Sequence, residues 1–257
     1  MDYQTILLTE HDGYSVITLN RPEVKNALNT QMRAELLHAV KAAETNTRAI
    51  VFRGNGDAFC SGQDLSNKSV NQTNMERVLR DEYVPLLRAI YDCGVPTICA
   101  VNGPAAGAGA NLALAADVVI AAESAVFLQA FTRIGLIPDA GGTYWLPRQI
   151  GFARAMGAAL FAEPVSAKQA AEWGMIWEAV PDEDFDAHWR ARASKLASGP
   201  TMAYKYAKHA IRESFENSLE KQLLLESRLQ GKCGKTRDFR EGVLAFMEKR
   251  PADYEGR

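Results

Sequence analysis

The sequence predicts an α/β core followed by a helical C-terminal region, and the order of its hydrophobic patterns carries that prediction. Short β-branched or apolar runs alternate with segments of 3.6-residue periodicity as far as about residue 128, and from Gly141 onward the pattern is almost entirely helical. Gly/Ala-rich turns follow several of the strands or open the next helix.

Thr5 to Glu10 and Tyr14 to Asn20 are strand-like runs separated by His11-Asp12-Gly13, the pattern of a hairpin with a glycine turn. Asn29-Thr30 precedes Met32, Leu36, Leu37, Val40 and Ala43, whose spacing predicts a helix. Ala49 to Arg53 reads as a buried strand ending at Gly54. A second helical pattern runs from about Asn74 to Tyr91, and Pro96 then introduces the strand Thr97 to Val101. Val118 to Ile120 and Val126 to Leu128 are further strand candidates. Ser166 is placed to cap the helical stretch AKQAAEW. Phe239, Val243, Phe246 and Met247 share one face of the last helix, and that face must pack on something. No linker-like stretch divides the chain, so we assign residues 1–200 to the core and 201–257 to the helical region.

Composition excludes several function classes. The chain has 257 residues, 47% of them hydrophobic and 23% charged, with a net charge of -2, as expected of an ordinary globular protein. That balance and the lack of a basic stripe argue against a nucleic-acid partner. The first residues lack a basic segment followed by an apolar run, and no stretch of about 20 apolar residues occurs, so a cytoplasmic protein without membrane spans is expected. Cys60, Cys93, Cys99 and Cys233 form no CxxC pair and have no histidine at metal spacing, so reduced thiols and no metal site are expected. His11, His38, His188 and His209 are scattered, with no nucleophile motif beside them.

Three turns carry the chemical signal: FCSGQDL at Phe59 to Leu65, NGPAAGAGA at Asn102 to Ala110, and IPDAGGT at Ile137 to Thr143. Small residues let the backbone approach a ligand, and strand-to-helix turns aim free N–H groups at one point, where developing negative charge is stabilised. GAGAN alone could belong to a dinucleotide fingerprint, but the third glycine and the acidic ribose partner are missing. Asp139 stands in the third turn behind apolar Leu136-Ile137-Pro138. There it is either a carboxylate whose pKa is raised by partial desolvation or a cap for the following helix.

Arg21-Pro22 with Asn26-Ala27-Leu28-Asn29, then FCSGQDL, AVNGPAAGAGANLALAAD, GLIPDAGGT and LPR stand in the order and spacing of the crotonase (enoyl-CoA hydratase/isomerase) superfamily, which the whole chain resembles. The resemblance implies a spiral of ββα turns closed by C-terminal helices. It also implies an oxyanion hole for a thioester carbonyl, built from the backbone N–H groups of Gln63 and Ala108. Where the family's hydratases carry two water-positioning glutamates, this chain has Asn111 and Phe131, which would line the acyl pocket, so Asp139 is left as a single proton-shuttling base.

The stretches AFTRIGLIPDAGGT and AEWGMIWEAV and the ending FMEKRPADYEG resemble the branch that isomerises ring-1,2-epoxyphenylacetyl-CoA to oxepin-CoA. A double-bond-shifting enoyl-CoA isomerase, a hydratase and a catalytically silent acyl-CoA-binding protein are the alternatives. Coenzyme A would be part of the substrate, with no separate cofactor. The resemblance places it along Lys25, Ala27, Ser61, Asp64 and Leu65, with Phe246 and Lys249 often from a neighbouring subunit. Lys25 could equally be surface charge, Phe246 could be packing, and Asp64 could merely fix its turn. The apolar stripes beyond Thr201 predict a homotrimer or a dimer of trimers.

Overall fold

The chain enters the fold through the predicted hairpin, β1 (Ile6–His11) and β2 (Tyr14–Leu19), in register from Ile6 opposite Leu19 to His11 opposite Tyr14. The computed structural model describes residues 2–66 and 74–257. Asn29 caps α1 (Thr30–Asn46) by accepting a hydrogen bond from the Met32 N–H, as an N-cap asparagine should. The helix returns the chain so that β3 (Ala49–Gly54) lies parallel to β2. Strands β4 (Thr97–Val101), β6 (Val118–Ala122) and β9 (Glu178–Val180) extend the sheet in parallel, in the order β1-β2-β3-β4-β6-β9.

Period-two alternation fills both faces of this sheet. Ile50, Phe52, Cys99 and Val101 point into the larger core, shared with Met32, Leu36 and Val40 of α1. Their neighbours Ala49, Val51, Ile98 and Ala100 point the other way, onto Phe185, Trp189 and Ala193 of α7 (Phe185–Ala197). A three-stranded sheet is formed by β5 (Ala105–Ala106), β7 (Val126–Leu128) and β8 (Val165–Ser166). Both β8 and β9 lie in the stretch predicted to be almost wholly helical. Runs of two and three residues are too short to show a period of two in the sequence.

The predicted helix from Asn74 to Tyr91 is interrupted. After α2 (Met75–Val78), residues Leu79–Tyr83 form a π turn, closed by the Val84 N–H on the Leu79 carbonyl, before α3 (Val84–Tyr91). Pro85 has no N–H to offer Asp81, and its ring would crowd that carbonyl in a regular helix; the chain widens just ahead of it.

Two more helices flank the three-stranded sheet, α4 (Ala108–Leu114) after β5 and α5 (Gly142–Phe161) ahead of β8. Ser166 caps α6 (Ala167–Trp173) through the Gln169 N–H, as predicted. Three helices finish the chain: α8 (Thr201–Glu213), α9 (Leu219–Cys233) and α10 (Arg237–Glu248). Ion pairs dock α8, with Lys208 and Arg212 both 2.6 Å from the Asp117 carboxylate that also accepts from the Thr97 N–H. Among the described residues no helix is long and apolar enough to cross a membrane, and no three metal-ligating side chains cluster.

Candidate active site

The first predicted turn is pinned to the chain ahead of α1. The Leu28 N–H donates to the Gly62 carbonyl and the Asp64 N–H to the Leu28 carbonyl, so this pairing uses the groups on either side of Gln63. In such a parallel bridge the intervening N–H faces the opposite way, and among the described residues it meets no acceptor. On that side lies the second turn, tied down where the Ala106 N–H donates to the Cys60 carbonyl and the Gly107 N–H to Leu128. Ala108 opens α4, so its N–H has no carbonyl one turn back to meet. The two turns touch: a methyl group on Gly62 would lie 2.8 Å from the Ala106 oxygen and 3.3 Å from the Ala108 nitrogen. Gly62 also has φ +94, so two separate constraints reserve the position for glycine. The turns that carry Gln63 and Ala108 therefore lie against each other.

Asp139 comes from the third turn, just ahead of α5. Its Oδ1 is enclosed and has no hydrogen-bond partner among the described residues. Burial alone pushes its carboxyl up to about 6, with no second carboxylate acting on it. The capping alternative fails: Gly141 is the N-cap of α5, and no side chain caps that helix. The turn is held by its backbone instead. Ala140 is forced to φ 48, an uncommon conformation for a residue with a Cβ, and the Asp139 carbonyl accepts from the Gly142 N–H and from Asn111 Nδ2 at 2.7 Å.

Asn111, predicted to line the pocket, is fully buried and occupied at both ends, because its Oδ1 accepts from Gln129 Nε2 at 2.9 Å. It faces the Asp139 backbone rather than open space. Phe131 is buried with its ring against Gly107, immediately before Ala108, and supplies an apolar wall there. Cys60 beneath the turns is fully buried; burial pushes its thiol up to about 12, so it stays protonated.

The predicted coenzyme A residues fall into two groups. Lys25 is exposed in a left-handed conformation, its carbonyl accepts from the Ser61 N–H, and Ser61 Oγ donates to the Val24 carbonyl. Ala27 is buried beside them, and Leu65 is exposed. Asp64 fixes its turn, accepting from Ser66 N–H and Oγ and from Arg21 at 2.8 Å, and these bonds hold its carboxyl below the usual range. Phe246, 85% exposed, and Lys249, in a left-handed turn at the end of α10, form a separate group. No hydrogen bond or ion pair among the described residues joins them to the first.

Sequence reasoning missed the cluster around the Gln63 side chain. Arg33, Glu82 and Tyr83 build it, and the signal was faint: an arginine adjoining the apolar stripe of α1, and two polar residues in a helix that sequence alone places only roughly near the acyl pocket, from about Tyr83 to Ile90.

Comparison with known proteins places this geometry. Residues 9–257 match the family model described as enoyl-CoA hydratase/isomerase. The chain is 62% identical to a Rhodobacter capsulatus protein named probable enoyl-CoA hydratase over 100% of both chains. It is 45% identical to the 1,2-epoxyphenylacetyl-CoA isomerase of Escherichia coli over 98% of each. The crystal structure of enoyl-CoA hydratase from Bacillus anthracis superposes with a TM-score of 0.92 at 33% identity, covering 99% of this chain and 100% of that one. The architecture is thus the crotonase fold, and the chain belongs to the enoyl-CoA hydratase/isomerase family.

Proposed function

We propose that this protein is an acyl-CoA isomerase in which Asp139 removes a proton α to a thioester while the Gln63 and Ala108 N–H groups hold the resulting enolate oxygen. The observation that carries the reading is an enclosed carboxylate oxygen left free: Asp139 Oδ1 is unpaired among the described residues, and its pKa is raised by burial alone. A hydratase needs a group to activate water, and the side chain at 111 is an amide already committed to Asp139 and Gln129. The name of the Rhodobacter capsulatus relative favours a hydratase, and this chemistry weighs against it.

The substrate we favour is ring-1,2-epoxyphenylacetyl-CoA, supported by the 45% identity to the Escherichia coli isomerase. Loss of the α-proton gives the enolate, the epoxide ring then rearranges to the oxepin, and a proton is returned, so no atom is gained or lost. A β,γ to α,β double-bond shift follows the same logic. Coenzyme A enters as part of the substrate, along Lys25, Ala27, Ser61, Asp64 and Leu65. With β,γ-unsaturated acyl-CoA in deuterated water, we expect deuterium at the α-carbon of recovered substrate or the γ-carbon of the α,β-unsaturated product, no added water, and negligible hydration of crotonyl-CoA. Efficient hydration of crotonyl-CoA would overturn the isomerase reading.

Residues 201–257 are proposed to build a homotrimer or a dimer of trimers, with Phe246 and Lys249 completing the coenzyme A site of a neighbour. Leu219, Leu223, Phe239, Val243 and Phe246 are 76%, 54%, 52%, 43% and 85% exposed in the single chain, more apolar surface than one helical layer ordinarily leaves in water. Sedimentation should give a trimer or hexamer that dissociates when residues from Arg237 onward are removed. A fully active monomer at assay concentration would refute the assembly.

A further inference from the structure

Gln63 is gripped by its side chain as well as its backbone, from two helices that lie outside its turn. Arg33 on α1 is only 2% exposed, and its guanidinium uses all five N–H donors. Nη1 donates to Gln63 Oε1 at 2.9 Å and to the Leu28 carbonyl at 2.6 Å, and Nη2 donates to Thr30 Oγ1 at 3.2 Å. Nε and Nη2 donate to Glu82 Oε2 at 2.9 and 2.5 Å. The Tyr83 hydroxyl adds a second donor to Gln63 Oε1 at 2.7 Å, and the guanidinium lies 4.8 Å from the centre of that ring.

A buried ion pair is a weak source of net stability, since well-packed apolar side chains of similar volume often serve as well. What five bonds do supply is fixed direction. Two of them end on the Leu28 carbonyl, which also accepts from the Asp64 N–H, and on the Gln63 side chain, so Gln63 is held through its side chain and through the backbone partner of the next residue. Consecutive residues of a regular helix point about 100° apart. Glu82 and Tyr83 both reach the cluster from the end of the π turn, a feature frequent at functional sites.

We propose that Arg33, clamped by Glu82 and seconded by Tyr83, is a positioning residue that holds the Gln63 N–H on the oxyanion of the bound thioester. The inference rests on the oxyanion reading given above. Its test uses the absorption of bound 4-dimethylaminocinnamoyl-CoA, which moves to longer wavelength when the thioester carbonyl is polarised, alongside isomerisation kinetics. Arg33→Met should lower kcat by about 100-fold, the scale of losing one oxyanion donor, while KM stays within a few fold and most of the red shift disappears. Arg33→Lys should recover only part of both, because an ammonium cannot span the same fork. Gln63→Met keeps the backbone N–H but removes the anchor, and should reproduce the loss even where the arginine variants fail to fold. A red shift and kcat that survive in Gln63→Met, with a clear shift in the parent protein, would sink this inference alone. No shift in the parent protein would remove the oxyanion site itself.

Discussion

Asp139→Asn is expected to lower acyl-CoA turnover by roughly 10²–10⁴-fold, the usual worth of a general acid-base group, with coenzyme A thioester affinity within a few fold of the parent. The change removes the base and keeps the shape. Since Asp139 must be ionised to take a proton and burial pushes its carboxyl up to about 6, kcat/KM should fall tenfold per pH unit below about 6 and level off above it. The stability signature runs the other way. A carboxylate whose folded pKa is raised penalises the folded state once it ionises, so the cost is absent below the ordinary value of 3.8 and fully present above about 6. Asp139→Asn should therefore raise the melting temperature at pH 8 and leave it unchanged at pH 3. An acidic limb of unaltered kcat/KM in the asparagine variant would remove Asp139 from the chemistry.

The second large effect is expected at a residue with no side chain. Gly62→Ala places a methyl group 2.8 Å from the Ala106 oxygen and 3.3 Å from the Ala108 nitrogen, at a φ of +94 that alanine tolerates poorly. Backbone cannot retreat as a side chain would, so the two turns must part and both proposed oxyanion donors lose aim. We expect kcat to fall by roughly 10²–10³-fold, the scale of losing an oxyanion donor, with melting lowered as well. Gly135→Ala is the control: that glycine also has a positive φ, of 76, but nothing lies within 4 Å of the added methyl group, so it pays the backbone cost without moving the site. Equal losses of kcat in the two variants would show that backbone strain, rather than the approach of the turns, explains the first.

Much of this was legible in one sequence because the parts that matter are local. The hairpin, the caps at Asn29 and Ser166 and the strands β3, β4 and β6 follow from turn chemistry and period, which act within a few residues. The turns carrying Gln63, Ala108 and Asp139 were marked by their small residues. What escaped is long-range or brief. The pairing of β9 with β6 rests on three residues and has no local signature. The grip of Arg33 on Gln63 spans 30 residues and that of Asn111 on Asp139 spans 28, and neither distance leaves a trace in periodicity. Asn111 was read through the carboxylate it lacks, whereas its neighbours show what its amide does.

That amide also constrains how such a site can change over time. Position 111, where the resembling hydratases carry one of their glutamates, is welded here to the Asp139 carbonyl and to Gln129, and a methyl group on Gly142 would come within 2.4 Å of its nitrogen. Replacing Asn111 by glutamate takes away the donor and sets a carboxylate against a carbonyl oxygen before any water is bound. The turn that holds Asp139 is disturbed before a water site is built. A glutamate at 111 therefore calls for matching changes at 129 and in the 139–142 turn, so a water-activating site is more than one substitution away in this scaffold.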